Sequence, residues 1–200
     1  MKKKYREVIV LHKIALIKDT INKVEDRILP LIEDEEIKNK LHNKYQNILE
    51  HIPDSQKETS KDHKTIILHV FQEELPIDID LNKLKETLHY QMPQLVDLAT
   101  FESLFKDVLP DHLQEERESR EPMILGEFWP TEEMLFIDGK KRYASWKNNE
   151  PEYPHKYVIA NTEMIINATS EEVDKLLLMT IKTTYIAQEY AYYGESDFPI

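Results

Sequence analysis

The chain has 200 residues, 40% of them hydrophobic and 32% charged, with a formal net charge of -12 and no cysteine. That length suits one large domain or a domain with a helical extension, and the hydrophobic share is too high for a wholly disordered chain. The missing cysteines exclude disulfides, thiolate metal sites and cysteine nucleophiles and fit a cytoplasmic location, while the acidity argues against nucleic-acid binding through the whole surface, which requires a basic footprint.

The lysine-rich start, followed by apolar Val8 to Leu11, is similar to the first part of a signal peptide. His12, Lys13 and Lys18 then break the run and no small-residue cleavage site follows, so the segment reads as the start of an amphipathic helix. No stretch approaches the length needed to cross a bilayer, and no membrane association is expected. Val10, Ile14, Ile17, Ile21, Val24, Ile28 and Leu31 recur at steps of four and three, the stripe of a helix that packs on another helix. Pro30 should kink or end it. Ile37, Leu41, Tyr45, Ile48 and Ile52 form a second stripe, so residues 1–55 read as an antiparallel helical hairpin. That hairpin either packs on the rest of the chain or forms a seam with a second copy or a protein partner.

Residues 56–64 are polar and aperiodic and read as a linker into a domain spanning 65–200. Thr65 to Phe71 is rich in β-branched and aromatic residues and reads as a strand. Asp80 to Leu88 reads as a short helix capped by Asp80, and a further helix is expected over residues 96–108. Residues 114–121 are a dense charge run. Pro122 to Leu125 and Met134 to Ile137 read as the two strands of a hairpin, Lys140 to Asn148 as a helix ended by Pro151 and Pro154, and Lys156 to Ile159 as a strand. Thr169-Ser170-Glu171-Glu172 resembles a capping box, with Thr169 as cap and Glu172 reaching back. The long helix behind it should bury Val173, Leu176, Leu177, Ile181 and Tyr185. The expected fold is α+β: the helical hairpin, then a small mixed β-sheet with flanking helices, then the C-terminal helix.

Most catalytic and nucleotide-binding motifs are absent. Only Gly126, Gly139 and Gly194 occur, too few and too scattered for a Walker loop or a dinucleotide fingerprint. The eight histidines show no metal-ligand spacing; His63 and His69, on one strand, lie roughly 20 Å apart. Ser145 has no nucleophile-elbow context.

One segment carries chemistry: Asp138-Gly139-Lys140-Lys141-Arg142, where a strand turns into a helix. Gly139 permits the sharp turn, and the open N–H groups and dipole of the helix's first turn favour an anion. Arg142 is suited to bidentate phosphate binding, Lys140 and Lys141 add point charges, and Asp138 is able to accept a hydroxyl or assist a metal. Asp-Gly is equally a common turn dipeptide, and Lys-Lys-Arg equally a solvated helix start. Trp129 and Trp146 flank the segment in sequence, as core residues or as platforms for a base.

Glu121-Pro122-Met123-Ile124-Leu125, then Met134 to Lys147 with Asp138-Gly139-Lys140-Lys141-Arg142 at its turn, then Lys156 to Ile159, resembles the core of the ParB/sulfiredoxin-like superfamily. The resemblance covers about residues 121–160 and rests on the order strand, Asp-Gly, Arg, helix, strand. It implies that the loop holds the phosphates of a nucleotide, with Gly139 and Arg142 at the phosphate-binding positions and Asp138 at the acidic one; Lys140 and Lys141 are expected around the same anion, Mg2+ is the expected metal if the site is catalytic, and Trp146 is the candidate for stacking on a base. Lys141 stands where many members place His or Arg, the reactive cysteine of sulfiredoxins is impossible here, and the helix-turn-helix of a full partition protein is not found. No metal-ligand set, nucleophile or general base is identified; Glu121 and Glu127 are merely the nearest acids. The functional expectation is a nucleotide- or phosphate-binding domain serving phosphoryl transfer or nucleotide hydrolysis. The alternative is a non-enzymatic interaction protein that uses its helical hairpin, with the Asp-Gly loop a structural turn.

Overall fold

A computed structural model describes residues 2–53, 63–95, 121–131, 133–149 and 155–200. Its helices are α1 (Lys2–Arg27), α2 (Glu35–Glu50), α3 (Leu81–Leu88), α4 (Lys140–Asn149), α5 (Thr162–Ala168) and α6 (Glu172–Tyr193). Its strands are β1 (His63–Val70), β2 (Glu73–Asp80), β3 (Gln94–Leu95), β4 (Met123–Phe128), β5 (Glu133–Asp138) and β6 (Lys156–Ala160). The class is α+β, as the hydrophobic patterning indicates. The helix expected over 96–108, most of the charge run at 114–121 and the prolines at 151 and 154 lie outside the described residues.

The chain divides into two units: residues 1–61 with 169–200, and residues 62–168. In the first, α1 and α2 both pack on α6, more extensively than on each other. The N-terminal hairpin is therefore completed by the last helix, which the sequence places instead in the domain from residue 65. The reason lies in α6 itself: Val173, Leu176, Leu177, Leu178, Ile181, Ile186 and Ala187 are buried, as are Thr180, Thr183 and Thr184. A helix buried over most of its circumference needs partners on more than one side. Val10, Ile17, Ile21 and Val24 of the first stripe and Leu41, Tyr45 and Ile48 of the second supply them, whereas Leu31 is exposed.

Chain ends and turns of this unit follow local rules. Pro30 lies in a 3-10 turn, Leu29–Leu31, directly after α1 ends. Asp34 caps α2 by accepting from the N–H groups of Glu36 (2.8 Å) and Ile37 (3.1 Å). Gln46 donates to Glu25 across the hairpin at 3.0 Å. α6 starts two residues later than a box capped by Thr169 requires, with Glu171 at the N-cap position and no cap bond from its side chain. Glu171 is buried and ion-paired with Arg6 instead. One further ion pair, Lys13 with Asp174, is buried between α1 and α6.

In the second unit, β1 and β2 form an antiparallel ribbon turned by Phe71 and Gln72, and a four-stranded sheet has the order β3-β6-β4-β5. β2 has no counterpart among the expected elements. Its Leu75, Ile77 and Ile79 alternate with polar residues and are buried, and Pro76 is tolerated because β2 pairs on one side only. β4 and β5 form the expected hairpin, and β4 runs parallel to β6 across the α4 crossover. Met123 and Leu125 of β4 cluster with Phe136 and with Tyr143 of α4. Gly126 lies on the other face of β4, where a Cβ atom would stand 3.0 Å from Ile165 of α5. Both faces of β4 are thus covered, which accounts for its unbroken burial from Met123 to Gly126. Asp80 caps α3 as expected, accepting from Asn82 and Lys83.

Candidate anion-binding site

The site lies at the open end of the β4–β5 hairpin. Ile124 pairs with Asp138, but Leu125 pairs with Phe136, so Ile137 is an extra residue in β5. Such a bulge bends its strand and re-aims the residues beside it; here Asp138 and the start of α4 follow at once. Gly139 has φ +101°, and a Cβ there would meet Met123 Cα at 3.2 Å and Arg142 Nη2 at 3.2 Å. Only glycine makes this corner without strain. Its carbonyl accepts from the Tyr143 N–H at 2.9 Å and begins the helix, leaving the N–H groups of Lys140, Lys141 and Arg142 without intrahelical acceptors.

Arg142 is buried and turned back across the hairpin mouth. Its Nη2 donates to Asp138 Oδ2 at 2.9 Å, and its Nη1 donates to Glu121 Oε2 at 3.1 Å and to the Glu121 carbonyl at 3.3 Å. Lys85 of α3 joins the same two carboxylates, 3.3 Å from Glu121 and 3.8 Å from Asp138. Lys85 chiefly, and Arg142 after it, hold the Glu121 carboxyl below the ordinary carboxylate range. An open cleft of about 370 Å³ is lined by Lys64, Lys85, Glu121, Asp138, Gly139, Lys140, Lys141 and Arg142. Lys140 lies over the Phe136 ring, 5.8 Å from its centroid. Burial first, and the Lys64 charge second, lower the pKa of its ammonium.

The structure thus brings Asp138, Gly139, Lys140, Lys141 and Arg142 together on one cleft and adds Lys64, Lys85 and Glu121 to them. Lys64 falls in the expected linker and Lys85 on an amphipathic helix, where nothing in the local pattern marks either. Among the described residues Lys64, Lys140 and Lys141 have no carboxylate partner, in contrast to Lys85 and Arg142. Both carboxylates of the cleft are engaged by those two cations, so a divalent metal there would have to displace one of them. The side chain of Trp146 lies outside the described residues. Trp129 begins the 3-10 turn at the opposite end of the hairpin, so it does not reach the cleft as a base platform. His155 is buried with its ring edge-on to Tyr143 at 6.2 Å between centroids, behind α4.

Comparison of the chain with protein-family models, curated proteins and solved structures returned no match. Among the described residues no helix is long and apolar enough to cross a membrane.

Proposed function

We propose that residues 62–168 form a phosphate-binding domain whose ligand, a phosphate or the phosphate group of a nucleotide, seats at the N-terminus of α4. One observation carries this reading: on a chain of formal charge -12, five cationic side chains and two carboxylates line a single cleft, and three of the lysines lack a carboxylate partner among the described residues. Like charges held together without counter-charges raise one another's free energy, and a multivalent anion relieves that cost. The open amides of α4 add donors of fixed direction. The resemblance of residues 121–160 to the ParB/sulfiredoxin-like core, with a phosphate loop at this position, supports the same ligand class. Such a cleft supplies charge and positioning, the demands of phosphoryl transfer or nucleotide hydrolysis.

A second reading has one observation in its favour. Asp138 and Glu121 already satisfy Arg142, so the Asp-Gly corner is complete as a structural turn, and the protein would then act through its helical surfaces. Thermal shift and calorimetry with pyrophosphate and nucleoside di- and triphosphates separate the two. At about a hundred times its Kd a ligand adds roughly 2.7 kcal/mol to stability. On the phosphate-site reading the shift is present in the wild type, persists in EDTA because cations hold the ligand, and is lost in Lys140→Ala/Lys141→Ala. No shift with any of these anions establishes the turn reading.

A further inference from the structure

We infer that Glu121 is a resident anion of the cleft: its carboxylate occupies the place between Lys85 and Arg142 that an anionic group of the ligand takes, and binding exchanges the one for the other. The inference rests on the phosphate-site reading and specifies what limits it.

The two carboxylates of the cleft are not equivalent. Asp138 ends a paired strand, is one helical turn from Arg142 in sequence and is only 25% exposed in its side chain. It forms part of the wall. Glu121 precedes β4, and its side chain is 62% exposed even while it contacts both cations. A glutamate so placed has three side-chain torsions with which to swing into solvent. Its departure does not release Arg142, which keeps Asp138 at 2.9 Å and the Glu121 backbone carbonyl at 3.3 Å. Lys85, by contrast, keeps only the longer 3.8 Å approach to Asp138. Swinging Glu121 out therefore frees one ammonium and one guanidinium N–H beside Lys64, Lys140 and Lys141 without dismantling the corner. The depressed pKa of Glu121 keeps it ionised at neutral pH, so the competitor is always present.

The test is calorimetry with inorganic pyrophosphate at fixed ionic strength on the wild type, Glu121→Gln and Glu121→Asp. Gln removes the competing charge. Asp retains the charge but withdraws it by about 1.5 Å, beyond hydrogen-bond reach of both cations. Displacement predicts that both variants bind pyrophosphate more tightly, each by about tenfold. Tighter binding by the Gln variant alone reduces the effect to bulk charge and overturns the inference. Equal affinity in all three, with binding still lost in Lys140→Ala/Lys141→Ala, overturns it and leaves the phosphate site standing. Absence of binding in all three removes both.

Discussion

Lys140 meets two influences of the same sign, since burial and the neighbouring Lys64 both disfavour its ammonium form. Its pKa lies below that of a free lysine, so the folded state releases this proton more easily than the unfolded chain does. The sign follows: charged Lys140 opposes folding at neutral pH, and the opposition is relieved as pH rises from its lowered folded value to the ordinary lysine value of the unfolded chain. Under limiting acetylating reagent near pH 8.5, Lys140 should react ahead of exposed lysines such as Lys23, because acylation requires the free amine. Pyrophosphate should protect it by restoring the charge. Peptide mass mapping with and without pyrophosphate checks both statements, and a Lys140 no faster than Lys23 contradicts the first. In the helical unit, the buried pair of Lys13 and Asp174 makes the opposite kind of demand. Asp174→Asn removes the carboxylate to which the buried Lys13 ammonium donates and should destabilise the helical unit, read from urea unfolding. Replacing both, as Lys13→Met with Asp174→Leu, should recover most of that loss, since the desolvation cost goes with the charges.

Elements are where local rules and tertiary demands part company. The β1–β2 turn places Phe71 at φ 54° and Gln72 at φ 64°, both in the left-handed region without a glycine between them. Each non-glycine residue there costs roughly 1–2 kcal/mol, and a two-residue turn with both φ positive is the type favoured by Asn-Gly. Gln72→Gly should therefore stabilise the protein by about 1 kcal/mol and raise the melting temperature in a thermal melt. The same ribbon shows why β2 escapes a pattern reading. Pro76 and Asp78, set between Leu75, Ile77 and Ile79, resemble a loop until the alternate burial is seen. At α6 the failure is reversed. Thr169 to Glu172 has the composition of a cap, but Glu171 is drawn to Arg6, a residue far away in sequence, and the helix begins at Glu172.

At the scale of the molecule, the chain leaves one unit after residue 61 and returns to it at residue 169, so the segment 62–168 is inserted between helices that belong together. A fragment of residues 62–168 should fold by itself, with the circular dichroism of a mixed sheet, and should retain pyrophosphate binding. Removal of residues 1–55 should instead expose the apolar faces of α6 and give aggregation, seen by light scattering. A stable monomeric 56–200 fragment would contradict the division.

The features legible in the sequence are local and periodic. The helical stripes around Ile17, Ile21, Leu41, Tyr45 and Ile48, the cap at Asp80, the β4–β5 hairpin and the turn at Asp138-Gly139 each depend on residues within a few positions of one another, where torsion preferences and side-chain spacing act directly. The core of the site, Asp138 to Arg142, was legible for that reason. Long-range packing, by contrast, makes α6 close the N-terminal bundle, holds Arg142 between Glu121 and Asp138, and brings Lys64 and Lys85 to the same cleft. Those contacts join residues with no periodic relation in sequence. Coulombic attraction and burial act on distance in space, and packing of the two sheets and their helices sets that distance.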